Sequence, residues 1–412
     1  MHWDTGNIAF MLVSTSLVML MTPGLAFFYG GLVGRKNVLA IMIQSFVSMG
    51  VTTVLWVAVG YTMCFSGSYG DAANPDIGGI IGNFHLAFFH GITPMTPFPA
   101  SPTIPLIVFV AYQMMFAQIT PALITGAFAN RVTFKAYLLF LVAWLLLVYF
   151  PVAHMIWGGG ILQQHGILDF AGGIVVHATA GFAALAAVFY VGRRRVVDAG
   201  MHSIPLVALG TGLLWFGWYG FNAGSELKVD TVTANAFLNT DVAASFAAMT
   251  WLVLEWIMAK KPKLVGLLTG SIAGLAAVTP AAGYVTTATA ILIGIVASLI
   301  CFYAVSLKNR LQWDDALDVW GVHGVGGLVG VISLGVFAVK TVNPAGGADG
   351  LLQGNPSFFI HETLAVVGVA AYAFCFTYAM LAIINRVTAV KVTSADEELG
   401  LDASLHGEQA YL

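Results

Sequence analysis

The chain has 412 residues, of which 59% are hydrophobic and only 8% charged, with a formal net charge of −3. Soluble globular domains carry about 25% charged residues, so there are too few charges here to cover a water-facing surface. That excludes an ordinary soluble enzyme and leaves the polytopic membrane class. The sixteen basic residues are too scattered for a phosphate-binding groove, and no nucleic-acid partner is expected.

The chain opens Met1-His2-Trp3-Asp4, and its first basic residue is Arg35. No positive region precedes the first apolar stretch, so that stretch reads as a retained helix rather than a signal peptide. A span needs about 20 apolar residues. Eleven stretches qualify: 8–33, 38–65, 103–128, 134–152, 169–191, 203–222, 235–258, 264–282, 285–306, 318–338 and 357–385. The connection 66–102 is rich in Gly, Pro, Asn and Asp and reads as an extramembrane loop. The 46 glycines suit close helix packing in lipid. Cys64, Cys301 and Cys375 lie far apart in apolar runs and read as packing residues, not as a metal or disulfide set.

Charge tests the count. With the N-terminus outside, the inner connections hold Arg35 and Lys36, Arg131 and Lys135, Arg193 to Arg195, Lys260, Lys261 and Lys263, Lys308 and Arg310, and Arg386 and Lys391. Fourteen of the sixteen basic residues then lie inside, and only Lys228 and Lys340 lie outside. The expected fold is an all-α polytopic membrane protein with eleven transmembrane helices, N-out and C-in. Residues 1–385 form the membrane domain and 386–412 a cytoplasmic tail. Eleven spans divide into two fives plus one, and two five-span halves necessarily have opposite orientation, as in inverted-repeat transporters. Span 5 carries His177-Ala-Thr-Ala-Gly181 and span 10 carries His323-Gly-Val-Gly-Gly327, the same fifth element of each half.

Ten histidines are present, and only His177 and His323 are set within apolar stretches; the rest fall in connections, at span ends or in the tail. Ionisable groups inside a membrane are costly and usually functional. Related by a pseudo-two-fold axis, the two rings would meet near the midplane and could hydrogen-bond ring to ring. The bland alternative is a pair satisfied by neighbouring backbone. No third ligand with suitable spacing accompanies them, so no metal is expected. Asp169 lies eight residues earlier, roughly 12 Å along a helix axis. It reads either as a helix cap or as a carboxylate that favours a cation nearby. Asp318, five residues before His323, reads as a cap by the same logic. Asp241, Glu255 and Glu362 read as helix–helix hydrogen-bonding or interface groups. Trp157, within His154-Met-Ile-Trp157-Gly-Gly-Gly160, reads either as an interfacial anchor or as a cation–π surface.

Taken together, several segments resemble the ammonium transporter (Amt) family over nearly the whole chain. They are Met21-Thr-Pro-Gly-Leu-Ala-Phe-Phe-Tyr-Gly-Gly31, Phe116-Ala-Gln-Ile-Thr-Pro121, His154-Met-Ile-Trp157-Gly-Gly-Gly160 and Asp169-Phe-Ala-Gly-Gly173. Gly220-Phe-Asn-Ala-Gly-Ser225, Thr279-Pro280, Val322-His323-Gly324-Val325, Gly400-Leu-Asp402 and His406-Gly-Glu408-Gln-Ala-Tyr411 extend the match. The resemblance implies a homotrimer in the cell (inner) membrane with one pore per subunit. It implies that Trp157, Phe116 and Ser225, with Tyr112 where some relatives carry Phe, bind ammonium at an outer site. Phe116 and Phe221 match a stacked gate, Asp169 the acid for recruitment and deprotonation, His177 and His323 the twin-histidine pore, and Thr279 a pore-proximal polar group. Gly400, Asp402, His406, Gly407 and Glu408 match a regulatory tail whose face accepts a PII-type signalling protein.

The chemistry is consistent without the name. Ammonium and potassium are alike in size and charge, and an apolar pore rejects both bare ions by desolvation. Ammonium alone can shed a proton and pass as a neutral molecule. The expected function is selective transport of ammonium or ammonia, with methylammonium a further possible cargo, and with net charge movement if the proton follows. The rivals are an electroneutral ammonia channel of the Rh kind and an ammonium sensor signalling through its tail. No nucleophile, metal set or cofactor motif accompanies the histidines, so neither enzymatic activity nor a cofactor is expected.

Overall fold

The computed structural model describes residues 3–196 and 200–411. Eleven apolar helical elements follow one another: α1 Thr5–Leu32, α2 Val38–Phe65, α3 Leu106–Phe128, α4 Phe134–Gln164, α5 Gly173–Val191, α6 Ile204–Glu226, α7 Thr231–Ala259, α8 Leu264–Val278, α9 Thr287–Arg310, α10 Trp320–Phe337 and α11 Pro356–Val387. Among the described residues, ten of these are long and apolar enough to cross a membrane, and α8 is shorter. In hydrocarbon every backbone group must be satisfied within its own helix, which is why a chain this apolar folds almost wholly into helices.

Two elements depart from the bounds expected above. The stretch at 264–282 stays helical only to Val278, where Thr279-Pro280 intervenes and Pro280 has no N–H to continue the ladder. The stretch at 134–152 runs on to Trp157 before Gly158 ends its regular helix. His154 therefore lies inside α4 rather than at its end. It is fully buried, with Nδ1 2.8 Å from the Cys64 carbonyl and Nε2 3.1 Å from an Asp76 carboxylate oxygen. It is thus a third buried histidine, which ties α4 to the loop after α2. That loop is irregular apart from a single turn at Ala87–Phe89 and a hairpin of β1 Pro97–Phe98 with β2 Ser101–Pro105.

Burial sorts the helices. The most apolar windows of α3 and α5 are 83% buried, whereas that of α7 is 28% buried and faces outward. The central elements α5 and α10 cross at two glycines: a Cβ on Gly181 would strike the Gly324 backbone, and one on Gly327 would meet Ala178 and Gly173. Only glycine permits that approach. Each of these helices begins with a wide π-type turn, Gly173–Ala178 and Trp320–Gly324, and each turn contains one of the two histidines. Such turns recur at functional sites.

At the end of the molecule that carries the chain's C-terminus, the segment after α11 folds back on the loops. A short helix, α12 Ser394–Leu399, is followed by a turn at Asp402–His406. Asp402 accepts the Ala40 N–H at 2.8 Å and so caps the start of α2, while Leu401 N–H donates to Asn37 and Asp402 N–H to the Lys36 carbonyl. Gly400 adopts φ +98° there, against Lys36, a conformation that favours glycine. The His406 ring meets Phe134 edge-on at 5.2 Å. By charge alone, the tail acids Asp396, Glu397, Glu398, Asp402 and Glu408 would dock by ion pairs to Arg193–Arg195 and Lys260–Lys263. Instead, Glu397 accepts the backbone N–H groups of Arg195 and Val196, and Lys263 turns to Glu255. Directional backbone bonds replace exposed ion pairs, which contribute only about 0–1 kcal/mol each.

Candidate functional site

Three cavities succeed one another along the α3, α5, α6 and α10 core. The first is a vestibule of about 440 Å³ lined by Trp157, Asp169, Ser225, Glu226, Tyr69 and Tyr284, among others. The second is a passage of only about 10 Å³ between Phe221, Trp218, His177 and His323, walled by Met21, Leu25, Ile119 and Leu214. A water needs roughly that much room. The third, about 100 Å³, holds Tyr29 and Asp318 and shares Phe28, Ile272 and His323 with the second.

The vestibule floor is aromatic. The Trp157 indole N–H donates to the Asp169 carbonyl at 2.8 Å, which fixes the ring. Phe116 meets Trp157 edge-on at 5.9 Å and stacks on Phe221 at 4.3 Å and 29°. Trp157 lines the vestibule and Phe221 the narrow passage, and Phe116 touches both rings between them. The Ser225 hydroxyl donates to the Phe221 carbonyl at 2.9 Å, so with Tyr112 Oη 3.2 Å away its oxygen keeps one lone pair able to accept from a solute. Tyr112 stands behind this wall, fully buried. Its hydroxyl contacts the Gly220 and Phe221 carbonyls and Ser225 at 2.8, 2.9 and 3.2 Å, bracing the end of α6.

Asp169 is buried and accepts four backbone N–H groups, from Gly172, Gly173, Ile174 and Val175, at 2.7–3.1 Å. The capping role is therefore complete. A carboxylate offers about four acceptor sites, and all are used, so none is left to contact a solute.

His177 and His323 are brought together as their repeat positions imply. Their Nδ1 atoms are 3.3 Å apart, with ring centroids 5.3 Å apart and planes 18° off parallel. A hydrogen bond between two Nδ1 atoms requires one donor and one acceptor. Two neutral rings sharing that bond leave one Nε2 as acceptor and one Nε2–H as donor toward the passage. His177 Nε2 is buried with no protein partner. Trp218 lies over His177 at 5.5 Å, and its N–H donates to Thr279 Oγ1 at 2.9 Å. Thr279 thus fixes the Trp218 ring that lies over His177.

Asp318 is not a cap. It has φ +60°, and its carboxylate lies 2.7 Å from Lys308 Nζ. The N–H of Trp320 is taken by Asp315 at 2.8 Å, and Lys308 Nζ donates to the Asp315 carbonyl at 2.6 Å. Asp315 was detectable from spacing, because it stands eight residues before His323 as Asp169 stands before His177. Asp241 joins α6 to α7 by accepting from Tyr219 at 2.7 Å and Trp215 at 3.2 Å, and Glu362 accepts the Leu168 N–H at 2.6 Å. Among the described residues no three His, Cys, Asp or Glu side chains gather as a metal site.

Residues 9–411 match the model of the Ammonium Transporter Family. The chain is 44% identical to an ammonium transporter of Bacillus subtilis, covering 98% of both proteins. It is 46% identical to one of Aquifex aeolicus, over 99% of this chain and 94% of that protein. The fold superposes on the crystal structure of Saccharomyces cerevisiae Mep2 with TM-score 0.87 and 31% identity, over 95% of this chain and 91% of that one. A structure described as a sensor Amt protein matches with TM-score 0.87 at 28% identity, over 97% and 98%.

Proposed function

The chain belongs to the ammonium transporter family, and on that premise we propose that this multi-pass membrane protein transports ammonium selectively. The cation is held at the vestibule floor by the Trp157 and Phe116 rings and the Ser225 oxygen, with Tyr112 bracing from behind. The Asp169 charge recruits it and favours the proton's departure. Ammonia passes the Phe116–Phe221 gate and is conducted between His177 and His323, while the proton crosses by its own route, so that net charge moves. The observation that carries this reading is the histidine pair, bonded at 3.3 Å in a passage of about 10 Å³ with otherwise apolar walls. Such walls oppose any bare ion, whereas one Nε2 acceptor and one Nε2–H donor suit a neutral molecule that both donates and accepts.

In this reading the vestibule faces outward and the tail lies in the cytoplasm, with residues 1–385 as the transport domain and 386–412 as a regulatory segment. Three copies assemble, and the tail face receives a PII-type partner. The work is transport rather than catalysis. Vesicles reconstituted with the protein test the proposal. Addition of ammonium yields a transient current and uptake, and the same concentration of potassium yields neither. Uptake without current supports the electroneutral channel instead, and equal potassium current overturns selectivity.

A further inference from the structure

The vestibule contains a second acid whose surroundings differ from those of Asp169. Glu226 lies in the turn Gly224–Glu226, next to Ser225, and its side chain is 10% exposed. Among the described residues it receives no backbone N–H bond. Its Oε1 lies 3.4 Å from Lys228 Nζ and its Oε2 3.5 Å from Asn343 Nδ2, both at the limit of hydrogen-bond length. Asp169 has no acceptor capacity left, whereas Glu226 does.

The geometry explains why Lys228 sits there. Leu227 takes φ +62°, which reverses the chain and carries Lys228 back over Glu226. The Leu227 carbonyl accepts from Ser101 at 3.1 Å and the Lys228 carbonyl from Thr233 at 2.6 Å, so the backbone of the turn is pinned while the lysine side chain remains 40% exposed. The ammonium of Lys228 has a second, closer acceptor in Asp230 at 2.9 Å. It is a primary alkylammonium, the same chemical class as the solute, with a resting place to withdraw to.

We propose that Glu226 is the carboxylate that collects the cation in the vestibule, and that Lys228 is a tethered ammonium that competes for it and withdraws to Asp230 when solute arrives. This inference rests on the transport reading above. An incoming ammonium exchanges with the Lys228 head group at Glu226, one cation for another, so no bare charge is left buried. It then moves from Glu226 to the adjacent Ser225 and the aromatic floor. Glu226 is a positioning residue for the cation and takes no part in the passage of ammonia beyond the gate.

The test is the half-saturating ammonium concentration for uptake of isotope-labelled ammonium into proteoliposomes at low ionic strength. Glu226→Gln, nearly isosteric, raises it about three- to tenfold with the maximal rate unchanged, and Lys228→Gln lowers it by about two- to fivefold. In the Glu226→Gln background, Lys228→Gln has no further effect, and both shifts shrink at about 0.5 M salt. A turn that serves only to begin α7 predicts losses of maximal rate or thermal stability and no salt-dependent shift. Unmoved half-saturation in either single variant, with wild-type uptake intact, overturns this inference alone. Absence of wild-type uptake overturns the transport reading and the inference with it.

Discussion

At the start of α5 the Asp169 carboxylate accepts four backbone N–H groups, and no ion pair reaches it among the described residues. At the start of α10 the Asp315 carboxylate accepts the backbone N–H groups of Trp320 and Val319, two against the four at Asp169, and one of its oxygens is buried without a partner. Lys308 is beside it, 2.6 Å from its carbonyl and 2.7 Å from Asp318. Both acids stand eight residues before one of the two paired histidines, and both helices open with a π-type turn. The two ends are thus built to one plan and charged differently. A helix start already favours an anion, so the backbone alone holds Asp169 and no protein cation offsets its charge among the described residues. At the other end Lys308 supplies the counter-charge from within the protein. Structural repetition therefore does not imply equal attraction for a cation at both mouths.

The largest effect is expected where the two plans meet. Replacing both His177 and His323 with Ala removes the bonded pair and its two inward nitrogen atoms. Selective ammonium uptake is then abolished, measured against potassium in proteoliposomes. Unchanged flux and selectivity in that variant would show that the paired rings are a packing feature.

The next effect separates the cap from the charge at the vestibule end. Asp169→Ala strips the acceptor from four buried N–H groups, each costing roughly 1–3 kcal/mol when left unpaired. Transport is lost and thermal stability falls. Asp169→Asn keeps one carbonyl oxygen and removes the charge, so it assembles while uptake drops. Full activity in Asp169→Ala would make the acid dispensable.

Much of this was legible in the sequence. The apolar stretches carried the helix order because span length and composition leave a membrane chain little choice. His177 and His323 stood out because ionisable groups are rare in such stretches, and their meeting followed from their matched places in the halves. Other features depended on three-dimensional proximity. Asp318 was the nearer acid to His323, yet its left-handed backbone turns it to Lys308 and leaves the helix start to Asp315. His154 looked like an end-of-span residue because nothing in the sequence indicated that Asp76, in an irregular loop, would fold back onto it. Glu226 had no pattern of its own, since only the turn at Leu227 places Lys228 over it.

A third carboxylate at a helix start extends the comparison. Asp402 caps α2 from the tail as Asp169 caps α5 from within its own chain segment. Deleting residues from Gly400 onward removes that cap, worth about 1 kcal/mol, and leaves the spans intact. The expected outcome is a folded assembly by size-exclusion chromatography, with partly reduced ammonium uptake and weakened binding of a PII-type protein. Wild-type uptake together with undiminished binding would mean that the tail is passive.

The smallest effect concerns Asp315. Burial raises its carboxyl from 3.8 to about 6, with Asp318 adding to the rise and Lys308 and the Trp320 and Val319 N–H groups opposing it. The folded chain therefore binds more protons at this group than the unfolded chain between pH 3.8 and about 6. The associated stability is fully present below that window and is lost as pH rises through it. Asp315→Asn keeps an oxygen for Trp320, leaves Lys308 its Asp318 partner and abolishes the titration. Wild-type thermal stability in detergent should fall relative to Asp315→Asn as pH rises from about 4.5 to 7, by an amount of order 1 kcal/mol. Parallel pH profiles for the two proteins would show that Lys308 compensates Asp315 fully. The two ends would then differ in the source of the compensation and not in its completeness.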